Sequence, residues 1–297
     1  MNSIKQHGYS HRHWWLSVVM GLLLAVGIVC ILYPAVGSYI NDCQFDDAIT
    51  RYDDTVSTMS DEDRQSMLVA ARQYNESLAG DPVHDPFVVG SGYAVPANYN
   101  DILNVDGKGL IGYIKIPTIG VDLPIRHGTE DDVLAEGAGH IPQTSFPIGG
   151  TGTHSVITGH TGLPSKRLFT DLIRMKEGDV FTLTVLGETH AYKVDAIKVV
   201  EPDDVSLLHV DASHEYVTLL TCTPYGINSE RLLVRGIPTD LPEDLNDSER
   251  PVPWVSLFVS IAFFALTCIT WCVIWNRRYQ TKLRLANALL SEIDDSI

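Results

Sequence analysis

Two long apolar runs bracket a chain that otherwise alternates short hydrophobic stretches with Gly- and Pro-bearing breaks. No charged residue occurs from Trp14 to Asn41, and the 20 residues Trp14–Tyr33 are dense in Val, Leu, Ile and Ala. At a helical rise of about 1.5 Å per residue they span about 30 Å, the thickness of a bilayer's hydrocarbon core. Trp14, Trp15 and Tyr33 sit at the ends of the run, where amphipathic rings favour the interface. A second uncharged run covers Pro251–Asn276, with Trp254 at one end and Trp271 and Trp275 near the other. Lys5 and Arg12 precede the first run, and Arg277, Arg278, Lys282 and Arg284 follow the second. Such basic flanks predict cytoplasmic tails at 1–13 and 276–297, transmembrane helices at 14–35 and 253–275, and an outward-facing region between them. Ala35-Val36-Gly37 could serve a signal peptidase, but the apolar stretch exceeds the usual length of about 7–15 residues, which favours an uncleaved anchor.

Between the runs the periodicity changes once. Residues 42–80 read as helical: Ser60 is a candidate N-cap, Asp61, Glu62 and Asp63 fill a first turn, and Met67, Leu68, Ala71, Tyr74 and Leu78 share a face. Gly80 ends the run, and Asp85-Pro86-Phe87 lies in a Pro-broken segment that stays loop-like to about residue 105. Short β-type runs follow, among them 112–116, 155–158, 180–185, 192–197, 216–222 and 231–234, with one helix-like interruption at 166–175. This spacing predicts a mainly β barrel or sandwich. The domain plan is therefore a helical region with a loop at 36–105, a β-domain at 106–240 and an acidic, Pro-bearing linker at 241–252.

Charge sharpens this picture. Against 21 Lys+Arg stand 37 Asp+Glu, a net −16. Residues 34–252 alone carry −19, while the two tails are slightly basic. An acidic outer region argues against a nucleic-acid partner. Five cysteines cannot all pair, so the chain is no disulfide scaffold. Cys30, Cys268 and Cys272 lie in the apolar runs and Cys43 just beyond the first. Cys222 alone occupies the body of the outer region, where oxidants make a lone thiol costly without a purpose.

Cys222 ends one β-run and Arg231 begins the next, so a hairpin would make them cross-strand neighbours at one rim, with Pro224, Gly226 and Asn228 in the turn. His160 follows another β-run in Thr158-Gly159-His160-Thr161-Gly162, where flanking glycines keep the ring approachable. A thiol, an imidazole and a guanidinium suit acyl transfer: nucleophile, proton donor to a leaving amine, and oxyanion partner. A buried structural thiol, a loop hydrogen-bonder and a surface ion pair with Glu230 are the plain alternatives.

The stretch Thr218-Leu219-Leu220-Thr221-Cys222-Thr223-Pro224, continued by Arg231-Leu232-Leu233-Val234, resembles the signature of sortases, the cysteine transpeptidases of Gram-positive surfaces. His154–Ser165, Leu168–Leu172, Gly112-Tyr113-Ile114 and His127-Gly128-Thr129 resemble the class C, pilin-polymerising group. The resemblance covers about residues 45–238. It implies a closed eight-stranded β-barrel with a helical N-terminal region, flanked here by two transmembrane helices. It also implies Cys222 as nucleophile, His160 as general acid/base and Arg231 as oxyanion and substrate partner. Thr221 and Thr161, beside the two catalytic candidates, become substrate-binding candidates. Asp85-Pro86-Phe87 resembles the class C lid, with the carboxylate toward the Arg and the ring over the Cys. Relatives often carry His before the Arg; Glu230 stands there instead and could compete with Asp85. The implied partners are pilin subunits with a C-terminal Leu-Pro-any-Thr-Gly (LPXTG-type) sorting signal, an acceptor Lys and membrane lipid, and no cofactor.

Glu130-Asp131-Asp132 and Glu201-Pro202-Asp203-Asp204 lack calcium-loop spacing, and the histidines lack zinc-like spacing with Cys, so no metal is expected and the acids read as solvated surface. The competing functions are attachment of surface proteins to peptidoglycan and a non-catalytic surface interaction module.

Overall fold

The computed structural model describes residues 11–78, 87, 97–163 and 166–242, with scattered positions from 263 to 284. Residues Gly37–Pro251 form one compact unit, and the terminal segments on either side belong to a second.

Helix α1 runs His11–Thr58 with Pro34 inside it. Its portion from Gly21 contains a window of mean hydropathy 2.1, long and apolar enough to cross a membrane, and it is the one such helix among the described residues. The second predicted span, 253–275, lies largely outside the described residues. The predicted helix at 42–80 is two helices. It includes the end of α1, which breaks at Ser60, and α2 then runs Asp61–Ser77. Ser60 caps it as anticipated, its hydroxyl accepting from Asp63 N at 3.1 Å. Leu68, Ala71, Tyr74 and Leu78 are buried and Met67 is partly so, as helical spacing requires.

Eight strands follow: β1 Leu110–Ile116, β2 Val121–His127, β3 Ala138–His140, β4 Thr153–Thr158, β5 Val180–Val185, β6 Glu188–Val200, β7 Glu215–Thr223 and β8 Glu230–Thr239. They close in the order β1-β2-β3-β4-β7-β8-β6-β5. Closure removes sheet edges, which otherwise invite pairing with other chains. Two joints, β2–β3 and β4–β7, are parallel. The sequence pattern located six strands but not β2 and β3. Pro124 interrupts the first, and the second is three residues long. The β2–β3 ladder is confined to Ile125–His127, so Pro124 lies ahead of it. The anticipated helix at 166–175 is a 3₁₀ turn over Thr170–Arg174.

Strand interiors such as Phe181, Leu183 and Val185 fill the barrel together with residues from both helices. Tyrosines fix the helices to the barrel. Tyr52 donates to Ile111 O at 2.8 Å and accepts from Leu186 N at 2.7 Å. Tyr74 donates to Pro142 O. Tyr99, in a short 3₁₀ turn, bonds His140 O at 2.9 Å and receives Gly128 N at 3.0 Å. Burial of the Tyr52 phenol raises its pKa well above the ordinary value, so it stays a neutral donor.

Candidate active site

The site lies where β4 and β7 end and β8 begins. Strand β4 runs parallel to β7 in register, Thr158 opposite Leu220. Thr158 Oγ1 and Gly159 N both donate to Leu220 O, at 3.2 and 3.1 Å, which carries the pairing one residue past the strand. His160 thus emerges beside the end of β7, two residues after Leu220's partner, as Cys222 is two after Leu220 itself. On the other side β7 and β8 form the anticipated hairpin, with Cys222 directly opposite Arg231. Its turn is closed by Ile227 N and Asn228 N, both donating to Pro224 O at 3.0 and 2.9 Å, with Gly226 and Asn228 at positive φ.

Side chains alternate faces along a strand, so Cys222 shares a face with Leu220, and Arg231 with Leu233. Leu220 and Leu233 belong to a small apolar cluster with Ile141, Val156 and Leu208, apart from the main core. Phe87 packs against that cluster. Its ring lies 5.8 Å from the His160 ring at 38°, and Arg231 Cζ stands 5.1 Å from its centroid. Phe87 therefore touches two of the three chemical residues. Asp85 and Pro86 lie outside the described residues.

Arg231 is only 6% exposed. Its Nη1 donates to the carbonyls of Asn228 and Glu230, each at 3.2 Å, so the hairpin turn orients the guanidinium. For Glu230, the group that engages Arg231 in these bonds is the backbone carbonyl. Cys222 is half-buried. The His160 ring is partly accessible, and burial pushes its pKa below the usual value while the Asp131 carboxylate pulls it up. His127, His140 and His154 are different. Each is buried and bonded to backbone or hydroxyl partners such as Gly109 O, Ser145 O and Thr218 Oγ1.

The glycines around His160 have other reasons than access. A Cβ on Gly159 would meet the Phe169 ring at 2.9 Å, and Gly162 has φ +80°. Thr221 is on the opposite face of β7 from Cys222, 2% exposed, and its hydroxyl donates to Gly159 O at 2.6 Å. That bond ties the Cys222 strand to the His160 loop, a link that sequence spacing did not reveal. Thr161, directly after His160, is also buried. Sequence reasoning also missed Asp131, whose Oδ1 lies 4.0 Å from His160 Nε2. Among the described residues no group of three or more His, Cys, Asp or Glu side chains converges as a metal site.

The family profile described as the sortase domain matches residues 114–239. Sortase A of Bacillus anthracis is 29% identical over 133 residues, 45% of this chain and 61% of that protein. The matched stretch thus spans about three fifths of that curated relative. The crystal structure of sortase C-1 from Actinomyces oris is 41% identical, covering 60% of this chain and 99% of that one, with a TM-score of 0.57. A pilus-related sortase C of Group B Streptococcus is 43% identical over 64% of this chain and 95% of that one, with a TM-score of 0.59. Likeness of this extent, in sequence and in barrel alike, makes the chain a member of the sortase family, with class C sortases among its structural neighbours.

Proposed function

We propose that the protein is a membrane-anchored cysteine transpeptidase that polymerises pilins. The observation that carries this is the packing of Phe87 against both His160 and Arg231, with Arg231 paired across the ladder to Cys222. The Cys222 thiolate attacks the Thr carbonyl carbon of a Leu-Pro-any-Thr-Gly signal. Arg231 stabilises the negative charge that develops on the carbonyl oxygen. As the Thr–Gly bond breaks, the imidazolium of His160 gives its proton to the departing Gly amine, leaving a thioester on Cys222. A Lys amine of the next pilin, losing its proton to His160, attacks the thioester; an isopeptide bond forms and the Cys222 thiolate is released.

Asp85-Pro86-Phe87 acts as a lid, with Phe87 excluding water from the thiol and Asp85 pairing with Arg231. The pilus-related structural neighbour supports the pilin substrate. Two membrane passes, at 14–35 and 253–275, leave both termini cytoplasmic and the barrel outside; the apolar first helix and the basic cluster after residue 276 support this topology.

A second reading, attachment of surface proteins to peptidoglycan, is favoured by curated relatives named Sortase A. A fluorogenic Leu-Pro-any-Thr-Gly peptide, offered with a Lys-bearing pilin or an oligoglycine acceptor, separates them. Ligation to the pilin Lys supports polymerisation; ligation only to the oligoglycine supports attachment. A Cys222→Ala variant as active as wild type would overturn the cysteine mechanism of both, and a wild type that neither cleaves nor ligates the peptide would leave a non-catalytic surface module.

A further inference from the structure

The acidic triplet Glu130-Asp131-Asp132 is not uniform surface. It opens the short helix α3, Asp131–Ala135, with Glu130 at the N-cap position. Leu134, fully buried, anchors that helix. Lys166, on the loop that follows His160, donates to Ala135 O and ties the other end of α3 to the same loop. Two of the carboxylates turn to their own backbone. Glu130 Oε2 accepts from Thr129 N at 3.0 Å and Asp132 Oδ1 accepts from Val133 N at 3.1 Å. The third reaches away from the helix, to within 4.0 Å of His160 Nε2.

We infer that Asp131 is a positioning residue for His160: its carboxylate attracts the protonated imidazole at the Nε2 side, which favours a ring orientation that leaves Nδ1 for proton exchange at Cys222. The inference rests on the reading of His160 as the general acid/base. An imidazole has two nitrogens, and a ring that must deliver a proton on one side works best when the other is held by an acceptor. Burial disfavours the imidazolium, and Asp131 is the acid that opposes it. Among the described residues the charged and titratable groups on the surrounding elements include Glu130, Asp131 and Asp132 at the start of α3, Lys166 and Arg167 on the following loop, Cys222 on β7 and Arg231 on β8. The contact is an ion pair with a solvated carboxylate, so its effect is modest and salt-dependent.

The test compares full-length wild type with Asp131→Asn, Asp131→Glu, Glu130→Gln and Asp132→Asn, using the sorting-signal peptide and a Lys acceptor. Asp131→Asn should lower kcat/KM about three- to tenfold at low salt, as expected for one pair at this separation in water. The loss should shrink at 1 M salt. The limb of the pH–rate profile that belongs to the imidazole should move to lower pH, because removing the carboxylate destabilises the imidazolium. In a Cys222→Ala background, the ¹⁵N-imidazole titration of His160 should move the same way. Asp131→Glu should restore most of the rate, and Glu130→Gln and Asp132→Asn should match wild type. An Asp131→Asn profile and titration indistinguishable from those of Asp132→Asn would overturn the inference. His160→Ala separates the two levels of argument. If it is inactive while Asp131→Asn behaves as wild type, only the role of Asp131 fails; if it stays active, the acid/base reading fails with it.

Discussion

Cys222 and Arg231 face each other across the antiparallel β7–β8 ladder, and the turn that joins their strands also holds the guanidinium through the Asn228 and Glu230 carbonyls. One hairpin therefore sets both the thiol and its cationic partner.

Arg231→Lys tests that geometry. Lysine keeps the charge but presents a point donor in place of a planar fork, and it cannot make the same pair of carbonyl bonds while facing an oxyanion. The expected loss in kcat/KM is about 10²–10³-fold, the size of one oxyanion donor. Steady-state transpeptidation with the sorting-signal peptide measures it; a loss below about fivefold would mean that charge alone suffices.

Phe87 packs against the His160 ring and the Arg231 guanidinium. Phe87→Ala should speed alkylation of Cys222, followed by mass spectrometry of the Cys222 peptide so that the other four cysteines do not interfere. Pairing it with Asp85→Ala should speed labelling further. An unchanged rate in both variants rejects the lid.

Thr221 holds the His160 loop to the Cys222 strand through Gly159 O. Thr221→Val keeps the volume and leaves that buried carbonyl without its hydroxyl donor, at a cost of about 1–3 kcal/mol in stability. Transpeptidation should fall more than Cys222 alkylation does, because the thiol stays in place while the imidazole loses registration. Equal falls in both would point to general destabilisation instead.

His140 is fully buried between Tyr99 and Ser145, and burial lowers its pKa to about 3. His154 is lowered to about 4 for the same reason. Both are neutral when folded, whereas in the unfolded chain they take protons near pH 6.5. The unfolded state then binds more protons, so their contribution to stability is complete above about pH 6.5 and declines as pH falls toward the folded values. Imidazole NMR should show both rings still neutral at pH 5.5 in the folded protein. Protonation of either ring at that pH without unfolding would contradict the assignment.

Much of the barrel was legible because β-propensity and period-two alternation are local properties. β5 and β7 were delimited within a residue or two. β2 and β3 were not, since a proline-bearing strand and a three-residue strand carry little local signal and exist through pairing with each other and with β1 and β4. The helical lead-in was legible as apolar spacing, and the start of its second helix as the Ser60 cap followed by three acidic residues.

The site divides along the same line. By itself the amino-acid sequence determined that Cys222 and Arg231 face each other, because they are close along the chain and a hairpin register follows from the turn between them. It also determined the apolar N-terminal helix and the acidity of the region between the two apolar runs. Only the tertiary structure decided which way neighbouring residues point and what meets across closure. Alternation turned Thr221 away from Cys222 and onto Gly159. Long-range packing brought Phe87 between His160 and Arg231, and α3 brought Asp131 to His160. Those contacts join residues tens of positions apart, and nothing local in the chain encodes them; the closed barrel does, by bringing strand ends and their loops to one rim.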